Sequence, residues 1–277
     1  MTDPVVVPAD ALRGVTVAFS VSESADLGRL GLTREHCDLV VAELARAVIL
    51  AGGAIIYGGR LRPDPGFSST LLDEAARFAA GREVMTLCLA EPEHRKFEVA
   101  ELADLRRQFG LAARLVCLDA DGDEIDQNNR SVPAASDPLA DQIAYSSLRR
   151  YLAEHSGARV IVGGQLAATT SRVPGVLEEA LLSLRRAQPL FVAGGFGGAA
   201  AAVAKALGLA FDDGPPDLPA GDAIFADVLN EITQAASEQP TSNGLTDPQR
   251  RYLAVTHRPG DIASLTVLGL SMSRPTV

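Results

Sequence analysis

Ala187-Gln-Pro-Leu-Phe-Val-Ala-Gly-Gly-Phe-Gly-Gly-Ala-Ala-Ala-Ala-Val-Ala204 runs 18 residues without a charge, close to the least that spans a bilayer as a helix. The membrane reading fails on its own residues. Pro189 and the glycines at 194, 195, 197 and 198 interrupt any continuous helix. What remains is a short strand over 189–193, a glycine turn and a helix over 198–207. A strand that passes into a helix through such a turn is one unit of a parallel α/β sheet, so the rest of the chain is read for further units.

They recur along the sequence. The apolar run 15–19 reads as a strand, and 35–50 carries apolar residues at helical spacing through Leu39, Val40, Leu44, Ala47 and Val48. A strand over 54–57, a helix over 69–80, a strand over 84–89, a charged helix over 99–109 and a strand over 113–118 follow. A second group has a helix over 138–155, a strand over 158–162 and a helix over 176–186. Six short apolar strands alternating with helices predict an α/β fold, a Rossmann-like, doubly wound parallel sheet with helices on both faces. The proline-rich segment 212–221 reads as a linker, and helices are expected over 222–236, 248–255 and 262–270. The expected division is a nucleotide-binding domain over 1–211 and a linker with extra C-terminal helices over 212–277, packed on that domain or on a partner subunit.

Composition narrows the partners. Thirty-five Asp and Glu against 25 Lys and Arg give a net charge of −10, the wrong sign for a protein that binds by neutralising a polyphosphate backbone, so no nucleic acid is expected. The three cysteines, Cys37, Cys88 and Cys117, are widely spaced and include no C-x-x-C pair, which speaks against a disulfide framework or a zinc site. With no basic region leading into an apolar stretch at the start, a cytoplasmic location is expected.

Ligands of an open parallel sheet lie beyond the carboxyl ends of its strands, and four such loops draw attention. The first strand runs into Ser20-Val-Ser22-Glu-Ser24, hydroxyls at alternate positions that suit ligand contact or turn and cap chemistry. The second ends in Tyr57-Gly58-Gly59-Arg60-Leu-Arg62, where a diglycine allows close backbone approach and two arginines suit an anion. The fifth ends in Gly163-Gly164, with Ser171-Arg172-Val-Pro174 and the paired carboxylates Glu178 and Glu179 beyond it. Carboxylates in the first turns of a helix also answer its dipole. The sixth ends in Gly194-Gly195-Phe196-Gly197-Gly198, whose backbone N–H groups ahead of a helix offer an anion site or tight helix-to-sheet packing.

Other patterns fall short. Asp119-Ala-Asp121-Gly122-Asp123 has its glycine too early for a calcium loop and Arg130 in place of the final glutamate, so it reads as a solvated acidic loop. Gly195-Phe-Gly197-Gly-Ala-Ala200 matches G-x-G-x-x-A but follows the last strand, whereas the dinucleotide fingerprint follows the first. None of the four histidines has a second ligand at metal spacing, and each reads as a surface or capping residue. Neither G-x-S-x-G nor G-x-x-x-x-G-K-[ST] occurs.

The order of these motifs resembles the SLOG superfamily over about 15–209, and more distantly the lonely-guy phosphoribohydrolases of the same fold. Tyr57-Gly-Gly-Arg-Leu-Arg62, Gly66-Phe67, Ile161-Val-Gly-Gly164, Arg172-Val-Pro-Gly175, Glu178-Glu179-Ala180 and Gly194-Gly-Phe-Gly-Gly-Ala199 are similar to the prokaryotic branch related to the SLOG domain of TRPM channels. The resemblance implies a sensor of an NAD-derived nucleotide, of the ADP-ribose or cyclic ADP-ribose type, like the Thoeris-type antiphage sensors. It implies no other cofactor. Ligand contacts are expected from Ser20, Ser22, Gly58, Gly59, Arg60, Arg62, Gly164, Arg172, Glu178 and Gly194 to Gly198, with Phe196 among them. The phosphoribohydrolases carry P-G-G-x-G-T-x-x-E; laid on the last glycine turn, that pattern puts Gly198 and Ala201 where the threonine and glutamate belong. Binding is therefore expected over catalysis, with Glu178 or Glu179 as the alternative catalytic carboxylate. A lone sensor also implies a homo-oligomer or a separate effector protein.

Overall fold

The computed structural model describes residues 7–126, 137–167, 172–210, 223–239 and 242–273. Among these, six strands form one parallel sheet: β1 (Thr16–Ser22), β2 (Ala54–Gly58), β3 (Met85–Leu89), β4 (Ala113–Cys117), β5 (Ala158–Gly163) and β6 (Leu190–Ala193). Their order is β4-β3-β2-β1-β5-β6. The chain works outward from β1 to β4, returns across the sheet and works outward again from β5 to β6. The register sets Val17 beside Ile55 on one side and beside Ala158 on the other.

The helices are α1 (Arg34–Leu50), α2 (Phe67–Phe78), α3 (Glu91–His94), α4 (Val99–Phe109), α5 (Pro138–Glu154), α6 (Gly175–Arg185), α7 (Gly198–Ala206), α8 (Ala223–Glu238), α9 (Asp247–Val255) and α10 (Pro259–Met272). Alternation along the strands divides them between the faces. Val17, Phe19 and Val21 of β1 join a core with α1, α2 and α10, through Val40, Leu44, Leu71, Ile262 and Val267. Ala18, Ile56 and Cys88 meet Leu148 and Leu152 of α5 on the other face, where Ile161 and Val192 meet α6 and α7. Strands buried on both sides explain why the apolar runs are continuous. No helix of the described residues is long and apolar enough to cross a membrane.

Several expectations shift. The first strand extends to Ser22, so Ser20 and Ser22 belong to the pleat and share a face. Helix α2 starts at Phe67, and Pro174 stands just ahead of α6. His94 lies in the short α3 with 1% exposure, its Nε2 bonded to the Leu118 carbonyl at 2.9 Å, so it is a core residue. The acidic loop closes on itself, Asp119 Oδ1 accepting from the backbone of residues 121, 122 and 123. Helix α10 lies along α1 and completes its core, α9 packs against β6, and α8 packs against α6 and α7. Residues 211–222, which hold the linker, are outside the described residues.

Candidate functional site

Between β1 and β5 the sheet order reverses. The helices that follow these two strands lie on opposite faces, α1 on one and α6 on the other, and a crevice opens where they part, at the carboxyl ends. A cavity of about 170 Å³ occupies it. Ser20 and Ser22 of β1, Tyr57 and Gly58 of β2, Arg149 of α5, Gln165 after β5, and Gly175, Val176 and Glu179 of α6 are among its lining residues.

Each side chain is placed by a local cause. Arg149 stands on the buried face of α5 beside Leu148 and Leu152. Its Nη1 donates to Glu178 Oε2 at 2.7 Å. Its guanidinium lies against the start of α6, where a Cβ on Gly175 would come 2.8 Å from Nη2, so a side chain there would displace the guanidinium. Glu178 and Glu179 therefore part company: the first pairs with Arg149, and the second sits on the cavity wall 3.4 Å from Nη1 of Arg159. Arg159 is fully buried in β5, donating to Ser183 Oγ and Ser20 Oγ at 2.7 Å each. Burial pulls this guanidinium below its usual value; Glu179 opposes the shift and Arg149 adds to it. Burial, with Glu179 nearby, pushes the Tyr57 hydroxyl above the ordinary phenol range, so it stays a neutral donor.

The rim is ionic. Gln165 Nε2 donates to the Glu23 carbonyl at 2.6 Å and ties the loop after β5 to that after β1. Glu23 pairs with Arg34 at 2.7 Å, Arg34 with Asp64 at 3.6 Å and Asp64 with Arg60 at 3.7 Å. Arg60 is thus a loosely held cation, about half exposed and linked to the Gln165 loop only through this chain of ion pairs. Among the described residues no group of three or more His, Cys, Asp or Glu side chains gathers to hold a metal ion.

Of the expected residues, Ser20, Ser22, Gly58 and Glu179 line the cavity, while Glu178 does not line it but pairs with Arg149, which does, and Arg60 is not among the lining residues. Gly59 and Gly164 act by packing: a Cβ at 59 would meet Ser68 Oγ at 2.3 Å, and one at 164 would meet Ala199 and Val176 at 2.9 Å. Arg62 turns elsewhere, stacking on Phe97 with its Cζ 4.4 Å from the ring centroid and pairing with Glu101 at 2.7 Å. Arg172 is exposed and is not among the lining residues.

The glycine turn is also not among the residues that line the cavity. Gly194 to Phe196 form a 3₁₀ turn packed on α9, where Cβ atoms at 194 and 195 would strike the carbonyls of Ala254 and Thr256. The amino end of α7 already holds an anion, since Gly198 N donates to Asp26 Oδ2 at 2.7 Å. Positive φ at Gly197 (75°) and Gly198 (58°) and the nearness of Asp26 and the Gly164 carbonyl exclude a side chain there. Ala201 sits in the first turn of α7, outside the cavity lining, so its identity does not decide the chemistry of the cleft.

Arg149, Arg159 and Gln165 are the lining or supporting residues that sequence reasoning missed. The signal was a charge in an apolar setting: Arg149 among the core positions of α5, and Arg159 inside an otherwise apolar strand. The cleft thus offers hydroxyl donors, a carboxylate acceptor and a guanidinium, the inventory that suits a sugar bearing a phosphate. No curated protein matches the chain. A family model described as SLOG cluster2 matches residues 11–220, the span that holds the whole sheet and the cleft, and the chain belongs to that family of the SLOG superfamily.

Proposed function

We propose that this protein binds a nucleotide with one ribose seated in the β1–β5 cleft, and that the nucleotide is an NAD-derived signal of the ADP-ribose or cyclic ADP-ribose type. Membership of the SLOG family supports a nucleotide-related role in general. The observation that carries the reading is that a carboxylate, Glu179, and a guanidinium, Arg149, both line a crevice at the switch point of the sheet. An ionised carboxylate only accepts hydrogen bonds and so matches the hydroxyls of a ribose, while a guanidinium matches phosphate. A volume of about 170 Å³ suits a sugar and not a dinucleotide, so the remainder of the ligand would run along the rim past Arg60 and Gln165. Antiviral defence is the setting implied by the resemblance to Thoeris-type sensors, with the bound state passed on through self-association or a separate effector.

A second reading rests on Glu179 itself. Gly175-Val-Leu-Glu178-Glu179 repeats the spacing G-T-x-x-E after a strand that ends in a diglycine, with Val176 in the threonine position. That places a carboxylate in the cleft where an N-glycosidic bond to the sugar would lie, the charge an oxocarbenium-like transition state needs. Val176 lacks the hydroxyl that would hold phosphate, which favours binding.

Calorimetry with AMP, NAD and ADP-ribose, paired with chromatography for free base, tests both. The expected result is binding of ADP-ribose without base release, weakened about tenfold or more in Glu179→Gln. Absence of binding by all three removes the nucleotide reading, and multiple-turnover base release that disappears in Glu179→Gln replaces the sensor by the hydrolase.

A further inference from the structure

Arg159 is the largest fully buried side chain among the described residues. Its register partners are Ala18 and Leu190, and Ile161 follows on the same face, so packing alone calls for an aliphatic residue. A buried charge costs several kcal/mol unless it is paired. Here two hydroxyls and one carboxylate surround it, and its Nη2 has no partner among the described residues. Of these neighbours only Glu179 carries an opposite charge.

The arrangement makes sense through the groups above it. Nε is tied to Ser183 on α6 and Nη1 to Ser20 on β1, so one rigid guanidinium spans elements on both sides of the cleft. By donating to Ser20 Oγ it fills an acceptor site on that hydroxyl and leaves the Ser20 proton to be given to another group. By standing 3.4 Å from Glu179 it draws that carboxylate to the cavity wall and away from solvent.

We propose that Arg159 is a positioning residue that holds Glu179 as acceptor and Ser20 as donor toward the sugar of the bound nucleotide, an inference that rests on the nucleotide reading above. Arg159 does not line the cavity and so acts through these two groups.

The test uses the full chain, calorimetry with whichever of AMP, NAD and ADP-ribose the parent binds most tightly, and thermal melts to follow folding. Arg159→Met should weaken binding about tenfold or more, the scale of one charge-assisted hydrogen bond, and Arg159→Lys should restore part of it. Relative to Glu179→Gln, the double variant Arg159→Met/Glu179→Gln should lose no more than Ser20→Ala loses relative to the parent, since only the Ser20 contact then remains to be positioned. If Arg159→Met fails to fold, the double variant, which removes the charge together with its partner, carries the comparison. Parental affinity in Arg159→Met, no gain from lysine over methionine, or a loss in the double variant beyond the combined losses of Glu179→Gln and Ser20→Ala overturns the positioning role while leaving the nucleotide reading intact. Absence of binding by the parent overturns both.

Discussion

Removing the Asp26 carboxylate separates two uses of the glycine turn. In the folded chain Asp26 Oδ2 accepts from Gly198 N at 2.7 Å and caps α7, and Ser24 Oγ donates to the Phe196 carbonyl at 2.7 Å to hold the same loop in place. The Asp26 side chain is 11% exposed, so the bond is a charge-assisted one in a largely dry setting, worth about 2 kcal/mol. The Arg29 partner is 59% exposed and adds at most a few tenths of a kcal/mol. Asp26→Ala should therefore lose about 2 kcal/mol, seen as a fall in Tm of about 4 to 8 °C. Asp26→Asn keeps an acceptor oxygen and should lose about half as much. Urea denaturation gives the free energy, and calorimetry with ADP-ribose gives the functional consequence. If the ligand phosphate sits in the β1–β5 cleft, the folded Asp26→Ala variant binds as the parent does. If the phosphate belongs on the amino end of α7, removing the competing carboxylate tightens binding, and the cleft reading is refuted. Parental stability in Asp26→Ala would refute the capping argument itself.

Arg149→Met should weaken nucleotide binding about 10- to 100-fold, the worth of a charge-assisted bond of about 1.5 to 3 kcal/mol, while Arg172→Ala, exposed and outside the cavity, changes affinity far less; titration calorimetry compares the two. Burial pushes the Cys37 thiol up to about 11, with Glu23 and Asp38 adding to the shift. All three thiols are buried and should react with Ellman's reagent at pH 8 only as the chain unfolds. Because the folded state keeps the Cys37 proton that the unfolded state loses near pH 8.5, its contribution is complete below that pH and declines as pH rises toward 11; denaturation at pH 7 and pH 10 measures the difference. Light scattering with and without ADP-ribose should show a dimer or larger assembly, and a strict monomer in both states counts against signalling by self-association.

Local chemistry determined most of the elements. Strand and helix positions follow from apolar periodicity and from proline and glycine punctuation, which act within a few residues, and β1 to β6 fall where those signals place them. The pleat of Ser20 and Ser22 was not legible there, because the apolar run ends at Phe19 and both serines read as loop residues; pairing with β5 carries the strand on to Ser22. Besides β2 with Gly58-Gly59, two strands end in a diglycine, β5 in Gly163-Gly164 and β6 in Gly194-Gly195, and both are short and, Arg159 apart, apolar. The local signal is stronger at the second, where four glycines fall within five residues. Tertiary pairing sets β5 beside β1 and sends β6 to the edge, so the crevice is lined by the loop that follows the first of these diglycines, through Gln165, and by α6. The second, richer in glycine, serves packing and is capped by Asp26 from a loop 172 residues away in sequence. For the same reason Glu178 and Glu179 could be named as carboxylates from the sequence, but their division between Arg149 and Arg159 could not. Which cation faces which carboxylate depends on how α5 and α6 settle over β5, and that is fixed by long-range contacts among buried side chains of similar character.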